Sequence, residues 1–134
     1  MIKMIEMTKT IRNRLVMLLA VVALIATVPA YAHHGSAAYD AGKTVTKTGT
    51  VTAYKFVNPH VMISMDVKGP SGTVDNWEGE MTSPNHLERS GWTKNTIKIG
   101  DQITLAGVPS KSGSTTMIIH KVVKNGEEIP LTGE

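Results

Sequence analysis

The 134-residue chain carries 14 Lys and Arg against 11 Asp and Glu, a formal net charge of +3, and no cysteine. Without thiols there are no disulfides, zinc-thiolate sites or iron-sulfur clusters, so any metal must be held by His, Met, carboxylate or backbone nitrogen. Lys3, Lys9, Arg12 and Arg14 less Glu6 account for the whole positive excess. The remainder therefore lacks the basic surplus with which a nucleic-acid binder neutralises phosphate.

The first 32 residues have the three parts of a secretory signal peptide. Lys3, Lys9, Arg12 and Arg14 form an n-region, Leu15 to Val28 is an apolar h-region, and Ala30-Tyr31-Ala32 puts small residues where a signal peptidase reads. The apolar run, about 14 residues, is short of the roughly 20 that span a bilayer. Cleavage after Ala32, no stable membrane span thereafter and a periplasmic location are expected, with His33 as the new amino terminus. The rest is long enough for one small domain.

Residues 33–43 are rich in small side chains and without period, and read as an extended arm with Tyr39 as its one large anchor. The barrel domain is expected over 44–134. Thr44 to Phe56 alternates and is rich in Thr and Val, as a long first strand should be, with Gly49 marking a bulge or bend. Val57-Asn58-Pro59-His60 turns the chain into a second strand, Val61 to Lys68, in which Val61, Ile63, Met65 and Val67 share the core face. The turn Gly69-Pro70-Ser71-Gly72 predicts an antiparallel third strand, roughly Thr73 to Met81, with Trp77 and Met81 inward and Glu78 and Glu80 outward.

Ser83 to Gly91 carries the helix signals: Ser83 to cap, Pro84 at the first helical position, Gly91 to stop it. Trp92 is expected to pack beneath. A fourth strand follows Gly100-Asp101 over Gln102 to Val108, and a fifth covers Thr116 to Lys124. Asn125-Gly126 is a hairpin turn that adds an edge strand within Glu127 to Leu131. Three strands, a short helix and two strands are the order of the OB-fold. The expected class is therefore all-β with small α content: a five-stranded OB-like Greek-key barrel with a short helix between strands 3 and 4. An open β-sandwich is the structural rival.

His33-His34 with Tyr39-Asp40, Gly49-Thr50-Val51-Thr52, Asn58-Pro59-His60-Val61, Trp77-Glu78, Ser83-Pro84-Asn85 with Leu87 and Arg89, Gly91-Trp92-Thr93 and Gly100-Asp101 together resemble a family of small exported bacterial proteins catalogued as a domain of unknown function. The resemblance implies an exported β-rich domain and supplies no catalytic residue. A looser likeness to bacterial periplasmic OB-fold proteins, in Val51 after Gly49-Thr50 and in Gly100-Asp101, bears on the fold only.

Chemistry is carried best by the histidines at 33, 34, 60, 86 and 120. A free α-amine on His33 beside its imidazole, with His34, forms a nitrogen-rich set suited to copper or nickel. His60 is the first choice from the body to complete it, an arrangement analogous in its ligands to the histidine brace of copper monooxygenases. The bland reading is a polar arm that chelates metal adventitiously. His86 reads as solvent-facing or a local cap, and His120, in step with Ile118 and Val122, as a core or rim histidine. Met62, Met65, Met81 and Met117 read as core filling before thioether ligands, Met62 alone lying beside the His60 turn. Glu78 and Glu80, about 7 Å apart along a strand, read as a solvated face.

No Ser-His-Asp order, phosphate-binding glycine loop or His-Glu-x-x-His zinc motif is present. The leading expectation is thus a periplasmic metal-binding module, copper favoured, through His33, His34 and His60. The alternative is a non-catalytic structural or interaction domain that binds a protein or envelope partner through strands two and three and the loops 57–60 and 109–115. A copper-dependent oxidase is a further alternative. Nucleic acid is not an expected partner, because Tyr54 and Phe56 stand nearly alone on a neutral chain.

Overall fold

In the computed structural model, alternating Thr and Val from Val45 to Lys55 form an 11-residue strand, β1. The structure describes Ile11, Arg14 and Met17, all helical, and residues 35–132. The remainder of the signal-peptide reading, its cleavage site, and His33 and His34 fall outside the described residues. The chain forms two compact units, Met1–His34 and Gly35–Glu134, and the described strands all lie in the second. Among the described residues no helix is long and apolar enough to cross a membrane.

After β1 come β2 (Met62–Lys68), β3 (Val74–Glu80), a helix α1 (Pro84–Glu88), β4 (Gln102–Pro109), β5 (Thr116–Lys124) and β6 (Glu127–Ile129). The strand order is β3-β2-β1-β4-β5-β6, and a further β3–β5 pairing closes the sheet. That pairing is parallel and short, Glu78–Glu80 against Thr116–Ile118. Five strands thus make a closed barrel with β6 appended to β5, and the open sandwich is set aside.

β1 serves both halves of the barrel. Val45–Thr50 pairs with β4, and Thr50–Lys55 pairs with β2. The register shifts between Val51 and Ala53, so the bulge falls at Thr52, three residues beyond the glycine expected to mark it. Gly49 answers a different need, close approach. A Cβ there would run into the Asp66 carbonyl of β2, with the carbonyl carbon 3.0 Å away. Only glycine lets the two strands cross at that distance.

One core fills the barrel: Val51, Ile63, Met65, Leu105, Met117 and Val122 from the strands, with Met81, Leu87, Trp92 and Ile97 from the connection between β3 and β4. α1 contributes Pro84 and Leu87. Full burial of Leu87 stabilises the fold by about 1.5–3 kcal/mol. Ser83 starts the helix with its backbone, not its hydroxyl: its carbonyl accepts from His86 N at 3.1 Å and Leu87 N at 3.2 Å. The His86 amide, one of the donors a hydroxyl cap would serve, is already paired. Gly91, at φ 83°, ends the turn, and Trp92 is buried beneath, its Nε1–H donating to Pro130 O at 2.6 Å. Trp77 faces inward as expected, with Lys47 Nζ 4.7 Å from its ring centroid.

Before β1, Ser36–Ala38 makes one 3-10 turn where the sequence reads as an extended arm. Ala38 N donates to Gly35 O at 3.1 Å, a closure that small residues permit. Tyr39 then bridges to Ser110.

His120 corrects an expectation. The register of β5 shifts opposite Ala106 and Gly107, and both His120 and Lys121 are exposed. A bulge spends one residue without advancing the pairing, so Val122 returns to the core while His120 stays outside. Counting by twos across the bulge places them together, and the shift separates them.

Candidate metal centre

His60 is held at the end of β3. Val61 N donates to Thr82 O at 3.1 Å and Met81 N to Val61 O at 2.8 Å, and Met62 pairs with Glu80. These bonds continue the β2–β3 ladder through the turn that carries His60, with Val61 fully buried as its anchor. The imidazole is thereby fixed over the strand end. Its Nδ1 lies 3.2 Å from Met81 O and 3.3 Å from Glu80 Oε1.

Both partners are acceptors, so Nδ1 must carry the proton and donate. In the neutral ring that leaves the lone pair on Nε2, free to act as a ligand. The side chain is 51% exposed and the Glu80 carboxylate 32%, which keeps that nitrogen accessible. Glu80 therefore differs from the expected solvated residue: it is partly buried and engaged with His60, while Glu78 is exposed. Sequence reasoning missed this pairing, although a signal existed. Counting back from the Gly69–Gly72 turn sets His60 opposite Thr82, one pleat from Glu80.

Of the predicted ligands, only His60 lies among the described residues. Among them, no group of three or more His, Asp or Glu side chains could hold a metal. His86 is exposed on α1, and His120 Nε2 is 3.5 Å from Thr44 Oγ1. Met65, Met81 and Met117 are core residues, and Met62, half-buried, lies opposite Glu80 and Lys55 on the outer face.

That outer face follows from the registers: Thr50, Asp66 and Asn76 in one row, Ala53, Ser64 and Glu78 in the next, Lys55, Met62 and Glu80 in the third. Asn76 Nδ2 donates to Asp66 Oδ1 at 3.0 Å. The nearby aromatic rings turn away from it. Tyr54 donates its hydroxyl to Thr93 O at 3.0 Å, burial pushes its phenol pKa up, and Phe56 packs against the core. The loop between β4 and β5 lies against the same strand, Thr115 O accepting from Glu78 N at 2.9 Å and Thr115 Oγ1 donating to Asn76 O at 2.7 Å.

The strand order, the parallel closure and the helix between β3 and β4 define an OB-like barrel. A family model described as "Family of unknown function (DUF6152)" matches residues 20–119, and the chain belongs to that family. The expected membership of a family of unknown function is met. No curated protein matches the chain. Among solved structures it is similar to the mitochondrial single-stranded DNA binding protein Rim1 of S. cerevisiae, at 5% identity and a TM-score of 0.48 over 69% of this chain and 96% of that one. It is also similar to the N-terminal domain of PriB from Thermoanaerobacter tencongensis, at 17% identity and a TM-score of 0.45 over 66% and 98%. A small single-stranded DNA-binding protein from Streptomyces coelicolor is similar at 9% identity and a TM-score of 0.41, over 62% and 91%. What those proteins bind is a property of theirs.

Proposed function

We propose that the protein is an exported, periplasmic metal-binding module, with copper the favoured metal. The ligands are the amine and imidazole of His33 after cleavage behind Ala32, the imidazole of His34, and Nε2 of His60. The observation that carries the reading is the bond from His60 Nδ1–H to the Met81 carbonyl, with the Glu80 carboxylate 3.3 Å from the same nitrogen. Metal-ligating histidines characteristically donate their other ring nitrogen to a carboxylate or carbonyl, which fixes the tautomer and raises ligand basicity. The amine and imidazoles supply the nitrogen set that Cu(II) prefers. The role is binding, with no residue assigned to catalysis.

The test is Cu(II) titration of protein purified from the periplasm, its amino terminus established by mass, followed by electron paramagnetic resonance. The expected result is tight one-to-one binding with a nitrogen-rich signal. That signal changes in His60→Ala, and an Ala inserted before His33 abolishes tight binding. Weak binding indifferent to both changes would sink the proposal.

A second reading is an interaction domain for a protein or envelope partner. It is favoured by the arrangement of the His60 turn and the 110–115 loop along one strand, β3, beside the polar outer face. Nucleic acid does not suit that face: Asp66, Glu78 and Glu80 repel phosphate, and Tyr54 and Phe56 are turned away from stacking.

A further inference from the structure

A groove of about 770 Å³ lies where α1, β5 and the segment after β6 meet, with Arg89, His120, Glu128, Pro130 and Leu131 among its walls. Its volume falls within the roughly 300–1,000 Å³ of small-molecule sites. The walls are fixed by the fold. Trp92 Nε1–H holds the Pro130 carbonyl at 2.6 Å, and Leu131 packs against the core. The β5 bulge turns His120 and Lys121 outward together.

The charges are arranged unequally. Lys121 Nζ lies 2.8 Å from Glu128 Oε2, so the carboxylate that lines the groove among the described residues is already paired. Arg89 is exposed at the end of α1, and among the described residues no carboxylate pairs with it. A five-residue helix has little dipole to account for a cation there. Among the described residues the groove thus presents one guanidinium without a carboxylate partner, an imidazole from a separate strand, and an apolar wall of proline and leucine.

We propose that this groove binds a small organic carboxylate with an apolar body. The planar fork of Arg89 takes the carboxylate through two parallel N–H bonds. The body lies on Pro130 and Leu131, and a ring nitrogen of His120 donates a further bond. A compact inorganic anion uses the charge but gains nothing from the apolar wall.

Benzoate is the probe, titrated into the metal-free full chain at constant ionic strength and followed by NMR of Arg89, His120 and the Trp92 indole N–H. Saturable shifts at all three are expected. Arg89→Lys, which keeps the charge and loses the fork, should bind about tenfold or more weakly, and His120→Gln should bind more weakly than the parent. Shifts that rise linearly without saturation, or affinity unchanged in Arg89→Lys, would overturn the proposal. Inorganic phosphate binding as tightly as benzoate would also overturn it.

Discussion

The imidazole Nδ1 of His60 lies 3.3 Å from the carboxylate of Glu80, across the end of the β2–β3 ladder. The pair lets one residue set the proton position of another. In Glu80→Gln the acceptor weakens and the amide can present a donor instead, so the ring loses its orientation. Copper affinity should fall about tenfold or more, read by competition against a calibrated chelator. Nitrogen NMR of the parent at a pH where the ring is neutral should show the proton on Nδ1. A proton on Nε2 would break the argument.

Leu87 is the side chain by which α1 joins the core, with no exposed surface. Leu87→Ala should cost about 2–5 kcal/mol, the transfer term plus a cavity term. Denaturant unfolding measures this as a lower midpoint at unchanged slope.

Gly49→Ala should cost about 1–3 kcal/mol, because the added methyl meets backbone, which cannot rotate aside as a side chain does. Gly42→Ala is the control. Its new Cβ would meet only Asp40 Oδ1, at 3.6 Å, and stability should stay within about 0.5 kcal/mol of the parent.

Asp101 gives the fold an acid-side dependence. A hydrogen bond from Lys124, supported by one from the Lys98 amide, holds its carboxyl below the usual 3.8. A depressed folded pKa contributes stability that is present above the unfolded value and lost as pH falls through the folded one. Melting temperature should therefore drop as pH falls below the usual carboxylate range, and Asp101→Asn should flatten part of that drop. Equal slopes in parent and variant would remove Asp101 as a cause.

A fluorescent single-stranded oligonucleotide should show no saturable anisotropy change with this protein at about 0.15 M salt, where exposed like charges within the screening length still repel. Saturable binding would assign the outer face a role that Asp66, Glu78 and Glu80 oppose.

Much of the barrel is legible in the sequence because period-two patterns and turn residues are local signals. Thr116–Lys124 and the helix between β3 and β4 emerge from them directly, as does the inward Trp77. The bulges are not legible. At Thr52 and His120 the chain has no Gly or Pro to announce an unpaired residue, and the shift is imposed by the partner strand. An alternating count therefore assigns His120 to the wrong face. The tie between His60 and Glu80 depends on a register set by a distant turn, which residue-by-residue reading does not reach. The arm histidines lie outside the described residues, so the full ligand set rests on sequence alone.

The barrel is closed by three residues of β5 lying parallel to three of β3, and those segments are far apart along the chain. Until residues 116–118 dock, that edge of β3 is unpaired. Contacts between distant segments are also the slow ones to form. The seam is consequently a strand edge on which an unfinished chain can pair with another copy.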